Sequence, residues 1–285
     1  MKIGILGPEG TFTETAAFLW LNLRKKENSE DAEIHYYETI FDVADGVMNR
    51  DMDYGIVPIE NSLEGSVGET LDVLATENSE RGMHIVGEVL VPIKLCLLAK
   101  GSFENIRTVV SHPHALAQCK QFIREHVRAR GVKIKAVEST ARAAKLAQEM
   151  DAIGALASED AAAKYKLRIL AENTQDKESV TRFVALASSA LTTSPTGKDK
   201  TSLLLHLKDR PGALYGVLGE FAQRGINLTK IESRPSKRAL GDYMFHIDCE
   251  GHVDEEAIKV VLKAVEERVV MVKILGSYPI AEWVK

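Results

Sequence analysis

The sequence predicts an α/β protein in two parts: a larger body of alternating strands and helices folded as two lobes, then a small ferredoxin-like βαββαβ unit. Three observations carry this. The 285-residue length exceeds one ordinary domain, and hydrophobic residues at 45% suffice for more than one core. Strand and helix patterns alternate through the first two-thirds of the chain, the order that gives parallel sheets with helices on both faces. A Ser-, Thr-, Pro- and Gly-rich stretch over 188–200 has no periodicity and reads as a linker.

Taken in order, residues 2–7 are apolar and read as a buried strand. Residues 11–26 form a helix with Phe12, Ala16, Leu19 and Leu23 at helical spacing, and Thr11 with Glu14 makes a capping box at its start. A strand over 34–38, a helix over 41–49 and a β-rich run over 54–59 follow. Ser66 with Glu69 is a second capping box, opening a helix to about residue 76. The long β-branched stretch 84–100 is broken by Pro92, so one continuous strand is not expected. Strand 108–111, helix 115–129, strand 132–137, helix 140–148, strand 152–157 and helix 159–165 alternate next, and 180–187 is a last strand able to return to the first batch. The expected organisation is a body over 1–187, with one lobe of about 1–80 plus 172–187 and the other of about 81–171. Beyond the linker, strand 201–207, helix 213–223, strands 227–233 and 242–248, helix 255–267 and strand 270–276 give the βαββαβ order over 201–285.

Charge and composition exclude several classes. The net charge of −5 comes from 36 basic and 41 acidic residues scattered along the chain, with no basic run to hold nucleic acid. No stretch nears the roughly 20 apolar residues of a membrane helix, and residues 1–7 lack the parts of a signal peptide. Three cysteines without a Cys-x-x-Cys pair point to a reducing compartment, so a cytoplasmic location is expected.

The polar turns after strands hold the candidate site. Gly7-Pro8-Glu9-Gly10-Thr11-Phe12-Thr13 joins the first strand to the first helix; it reads either as an anion-binding turn or as an ordinary tight turn with a capped helix. It is neither a dinucleotide fingerprint nor a Walker loop. Pro58-Ile59-Glu60-Asn61-Ser62 lies at the carboxyl end of a strand, where open α/β sheets bind ligands. Ser111-His112-Pro113-His114, with Gln118 one helical turn on, occupies the matching turn of the second lobe. Its His-x-His pair has no third or fourth ligand nearby, so a metal is not expected. Glu138-Ser139-Thr140 repeats the pattern, and Ser158 reads as a plain N-cap. In Thr181-Arg182-Phe183, alternation puts Thr181 and Phe183 on one face and Arg182 on the other. The arginine needs a carboxylate, structural or a ligand's. Together these turns describe a small polar anion held between lobes, with or without chemistry.

Gly-Pro-x-Gly-Thr-Phe at 7–12, Val-Pro-Ile-Glu-Asn-Ser at 57–62, Ser-His-Pro at 111–113 with Gln118, Glu-Ser-Thr-Ala at 138–141 and Thr-Arg-Phe at 181–183 resemble the motifs of prephenate dehydratases. The C-terminal unit resembles a phenylalanine-binding ACT domain, with Gly-Ala-Leu at 212–214 and Glu-Ser-Arg-Pro at 232–235. The likeness spans nearly the whole chain and is of the stand-alone form, with no mutase-like helical segment before residue 1. It implies a type II periplasmic-binding-protein kind of two-lobed body plus the ACT unit. It also implies conversion of prephenate to phenylpyruvate, with loss of water and carbon dioxide, under feedback by L-phenylalanine and without cofactor or metal. Aromatisation drives that reaction, and its difficult part is protonating the departing hydroxyl. The resemblance assigns the proton to Thr181, by partial transfer or by a strong hydrogen bond, with Glu60 supporting it. It assigns Thr11, Asn61, Ser62, Ser111, Gln118, Ser139, Thr140, Arg182 and Phe183 to substrate binding. Gly212, Ala213, Leu214, Asn227, Glu232, Ser233, Arg234 and Pro235 are assigned to L-phenylalanine, at paired ACT units of a homodimer or homotetramer. Arogenate as substrate, a solute receptor and a non-catalytic amino-acid sensor are the competing readings; the bland reading of the ACT unit is a purely structural dimerisation module.

Overall fold

The computed structural model describes residues 1–24, 32–75, 82–188, 193–237 and 242–282. The body runs β1 (Lys2–Leu6), α1 (Phe12–Arg24), β2 (Glu33–Tyr37), α2 (Ile40–Met48), β3 (Tyr54–Asn61), β4 (Gly65–Ser66), α3 (Gly68–Ala75) and β5 (Met83–Pro92). It continues with β6 (Cys96–Ala99), β7 (Thr108–Ser111), α4 (Pro113–Gln118), α5 (Lys120–Phe122), β8 (Lys133–Ala136), α6 (Thr140–Glu149), β9 (Ile153–Ala157), α7 (Glu159–Tyr165), β10 (Arg168–Ala171) and β11 (Val180–Ser188).

These strands make two sheets. The first has the order β2-β1-β3-β11-β5, with β4 paired to β3; the second has the order β10-β6-β9-β7-β8. Both are mixed, where alternation alone predicts parallel sheets: β11 runs antiparallel to β3 and β5, and β6 antiparallel to β9 and β10. The reason is the double crossing. The chain leaves the first lobe at the end of β5 and re-enters it at the start of β11, so those two neighbours run in opposite directions. The crossings are bonded to each other: the Ile93 amide donates to the Ser179 carbonyl at 2.7 Å and the Thr174 amide to the Leu95 carbonyl at 2.8 Å. The lobe boundary therefore falls at 93–95, not near 80, because β5 pairs with β11 along its length. Pro92 marks that boundary, ending one strand before β6 begins.

Helix starts also differ from expectation. Glu14 takes the Gly10 amide instead of that of Thr11, and the Thr11 hydroxyl donates to the Leu6 carbonyl at 3.4 Å. Ser66 lies in β4, and α3 begins at Gly68. A complete capping box stands instead at Thr39 and Asp42. The expected helix over 115–129 starts earlier, at Pro113, and runs through a π-helical turn at Ile123–Val127.

The C-terminal unit comprises β12 (Asp199–His206), α8 (Ala213–Gln223), β13 (Leu228–Pro235), β14 (Tyr243–Glu250), α9 (Glu256–Glu266) and β15 (Met271–Pro279), in the antiparallel order β13-β14-β12-β15. This is the ferredoxin-like order. Residues 189–192 of the expected linker lie outside the described residues. Period-two alternation gives the sheet two apolar faces. Leu203, Leu205 and Ile247 pack under α8 and α9 with Phe221 and Val261. Leu204, Met244, Leu275 and Tyr278 join Ile40, Val57, Ile85 and Val184 of the first lobe in one core. Close approach there depends on Gly276, where a Cβ would overlap the Ile85 backbone.

Candidate active site

A cleft of about 980 Å³ opens between the lobes. The first lobe contributes the β1–α1 turn, the ends of β2 and β3, the β4–α3 segment, and β11. The second contributes the starts of α4 and α6, and Ile93 and Leu95 line it where the chain crosses.

Its polar centre is a rung of the first sheet. Thr181 on β11 stands opposite Asn61 on β3, and Asn61 Nδ2 donates to Thr181 Oγ1 at 2.9 Å and to Ser179 Oγ at 2.9 Å. Asn61 Oδ1 accepts the amides of Leu63 and Glu64 at 2.9 and 3.1 Å, which fixes which end of the side-chain amide faces Thr181. Because Thr181 Oγ1 accepts from Asn61, its own proton is free to point into the cleft.

Thr11, Asn61, Gln118, Ser139, Thr140, Thr181 and Phe183 all reach the cleft wall. Ser139 caps α6, its Oγ accepting the Arg142 amide at 2.9 Å. Others assigned to the site face elsewhere. Ser111 is fully buried and donates to the Leu156 carbonyl at 2.6 Å, tying β7 to β9; Ser62 accepts the Val180 amide at 3.0 Å. Glu60 and Arg182 do not line the cleft. They form the next rung, side chains on the opposite face, with Arg182 Nη2 3.1 Å from Glu60 Oε2. Strand alternation is the physical reason: what puts Thr181 and Asn61 in the cleft turns their chain neighbours away.

Sequence reasoning left out Glu64, His112 and His114 as site residues, and all three line the cleft. His114 Nδ1 lies 3.8 Å from Glu64 Oε2, and Gln118 Nε2 lies 3.5 Å from Glu64 Oε1, so Glu64 reaches across from one lobe to the other. The β3–β4 hairpin that presents it has no strong sequence signal, because β4 is two residues long. Burial and the neighbouring His114 hold the His112 imidazole below its ordinary value. Tyr36 donates to Glu14 Oε1 at 2.7 Å; burial first, then that carboxylate, push its phenol well up. None of the described cleft-lining residues is Lys or Arg. Among the described residues no cluster of three or more His, Cys, Asp or Glu is placed to hold a metal ion, and no helix is long and apolar enough to cross a membrane.

In the C-terminal unit the assigned residues divide. Gly212, with φ of 79°, starts α8, followed by Ala213 and a half-buried Leu214. Glu232 and Arg234 point toward the first lobe: Ser66 Oγ donates to Glu232 Oε2 at 3.4 Å, and Arg234 pairs with Asp72 at 2.9 Å. Ser233 and Pro235 are exposed, and Asn227 donates to Glu250 at 3.1 Å.

The family model for prephenate dehydratase matches residues 3–190, and that for the ACT domain matches residues 201–267. The chain belongs to the prephenate dehydratase family. It is 45% identical over 283 residues to the bifunctional chorismate mutase/prephenate dehydratase of Aquifex aeolicus, covering 98% of this chain and 74% of that protein. It is 41% identical to the prephenate dehydratase of Methanocaldococcus jannaschii, with 96% of each chain covered. The crystal structure of the Arthrobacter aurescens prephenate dehydratase in complex with L-Phe superposes with a TM-score of 0.86 at 35% identity, covering 98% of this chain and 90% of that one. Members of the prephenate dehydratase family are lyases.

Proposed function

We propose that this chain converts prephenate to phenylpyruvate with release of carbon dioxide and water, and that L-phenylalanine controls it through the C-terminal unit. The observation that carries the reading is the Asn61–Thr181 hydrogen bond at the wall of an interlobe cleft large enough for a small substrate. In the reaction the bond to the ring carboxylate breaks, its electron pair enters the ring, and the ring carbon–oxygen bond breaks on the far side. The departing oxygen takes up one proton to leave as water. Thr181 Oγ1 donates toward that oxygen, while Asn61 Nδ2 donates to Thr181 Oγ1 as it gains electron density. The proton lost is recovered from solvent, which closes the balance.

The substrate's carboxylates are held by hydroxyls, side-chain amides and free backbone amides. Thr11, Gln118, Ser139 and Thr140 supply them, the last two at the start of α6, where unpaired N–H groups attract anions. Clamping between two lobes orients the ring relative to Thr181, which by itself supplies a large part of a rate acceleration.

Control is proposed to act at a seam between paired C-terminal units of a homo-oligomer. The exposed apolar side chains of Ile231 on the edge strand β13 and Tyr243 on its neighbour β14 suit such a seam. The Arthrobacter aurescens relative was crystallised with L-Phe, which supports that ligand here. A cytoplasmic location accords with three buried free cysteines.

The test follows phenylpyruvate formation from prephenate with and without L-phenylalanine, and runs arogenate in parallel. Turnover of prephenate that falls when phenylalanine is added is expected. A folded protein that leaves prephenate intact overturns the assignment, and faster turnover of arogenate moves the substrate.

A further inference from the structure

The rung behind the cleft belongs as much to the C-terminal unit as to the catalytic body. Arg182 is 7% exposed and meets three carboxylates. Glu60 on β3 and Glu88 on β5, from the strands either side of β11, approach it at 3.1 Å each. Asp248 on β14 approaches at 2.8 Å from the other domain. Lys200 on β12 lies 3.0 Å from Glu88, and Lys230 on β13 lies 3.4 Å from Glu60. Arg182, Lys200 and Lys230 thus balance Glu60, Glu88 and Asp248 in a cluster that is buried except at Glu60, whose side chain is partly exposed. Burial alone would lower the guanidinium's proton affinity, but the surrounding carboxylates, Asp248 foremost, raise it, so it stays charged.

We propose that Arg182 is a positioning residue through which the C-terminal unit holds Thr181 and Asn61 in catalytic alignment, with Asp248 as the point of control. The inference rests on the reaction proposed above. Its geometry is the shared rung pair: Arg182 opposite Glu60 on the rear face, Thr181 opposite Asn61 on the cleft face. The register breaks between Arg182 and Phe183, a bulge of the kind that re-aims side chains beside active sites. Asp248 is itself fixed from behind, accepting from Ser202 Oγ at 2.6 Å, and Ser202 shares a 2.7 Å bond with the buried Tyr278 hydroxyl. A movement of β14 relative to the first lobe therefore pulls on the guanidinium, and with it on the residue next in the chain.

The test uses the full chain carrying Asp248→Asn or Ser202→Ala, with Leu204→Ala as a comparison that weakens the same domain contact without touching the cluster. Misplacing reacting groups by about an ångström costs on the order of 100-fold. Asp248→Asn is expected to lower kcat at least about tenfold with KM little changed, and Ser202→Ala to lower it less. NMR signals of the Thr181 methyl and the Asn61 side-chain amide should shift in both, and Leu204→Ala should alter neither kcat nor those signals. Unchanged kcat and unchanged signals in both variants overturn the proposal, as does an equal kcat loss in Leu204→Ala. If Asp248→Asn fails to fold, Ser202→Ala decides. Wild-type protein without prephenate turnover refutes the reaction instead, and the NMR arm still judges the coupling.

Discussion

Thr181→Val separates the chemistry of the cleft from its architecture. The substitution keeps the branched shape and removes one hydroxyl, and with it the bond from Asn61 Nδ2. Asn61 is not orphaned, because the same nitrogen still donates to Ser179 Oγ at 2.9 Å. The stability cost is thus that of one hydrogen bond, about 1 kcal/mol, or roughly 2–4 °C in Tm for a chain of this size. The rate cost is far larger: a positioned proton donor contributes about 10²–10⁴-fold, equivalent to roughly 3–5 kcal/mol of barrier. Phenylpyruvate release under saturating prephenate measures the rate cost and a thermal melt the stability cost. Asn61→Ala should cost nearly as much as Thr181→Val, and the double variant little more, because the pair acts as one unit. A Thr181→Val enzyme turning over within threefold of wild type refutes the reasoning.

Gly276→Ala should destabilise by about 3 kcal/mol or more, since its methyl would overlap the Ile85 backbone across the domain seam; an unchanged urea midpoint contradicts that packing. His246 is buried in the same seam without a hydrogen-bond partner for either ring nitrogen, and burial holds its pKa down from 6.5 to about 4. The unfolded chain therefore binds this proton near pH 6.5 and the folded one does not. Its contribution is complete above pH 6.5 and is lost, by up to roughly 3 kcal/mol, as pH falls toward 4. Urea midpoints at pH 7.5 and 5 should differ less in His246→Leu than in wild type, and an equal difference in both assigns the acid loss elsewhere. All three cysteines are buried, and burial pushes Cys119 up to about 11 and Cys249 up to about 12, so none should react with a thiol reagent until the protein unfolds. Rapid labelling of the native protein goes against this.

What the sequence made legible follows periodicity. Helices over 159–165 and 213–223 stand where their apolar spacing puts them, and the βαββαβ order is complete. Pro92 correctly divides two strands, yet nothing local says that the first of them joins the earlier lobe; that pairing is made by β11, nearly a hundred residues away. The two-residue β4 escapes notice because so short a strand carries too little pattern, and β10 is not anticipated either. At the site, alternation already separates Thr181 from Arg182, and it leaves open whether the arginine's partner is a ligand or a carboxylate of the protein. Three acids from three strands, one of them in another domain, answer that, and no spacing in the chain brings Glu60, Glu88 and Asp248 together. Glu64 is missed for a similar reason: its partners His114 and Gln118 lie across the cleft.

The apolar plate formed by Leu204, Met244, Leu275 and Tyr278 makes the regulatory segment the rear wall of the enzyme rather than an accessory hung from it. Excising either half would leave a greasy scar on both fragments, so dissection by protease should yield aggregates sooner than two working pieces. An effector signal generated in that segment would have only a short way to travel, since its sheet already packs against the back of the strand that carries Thr181.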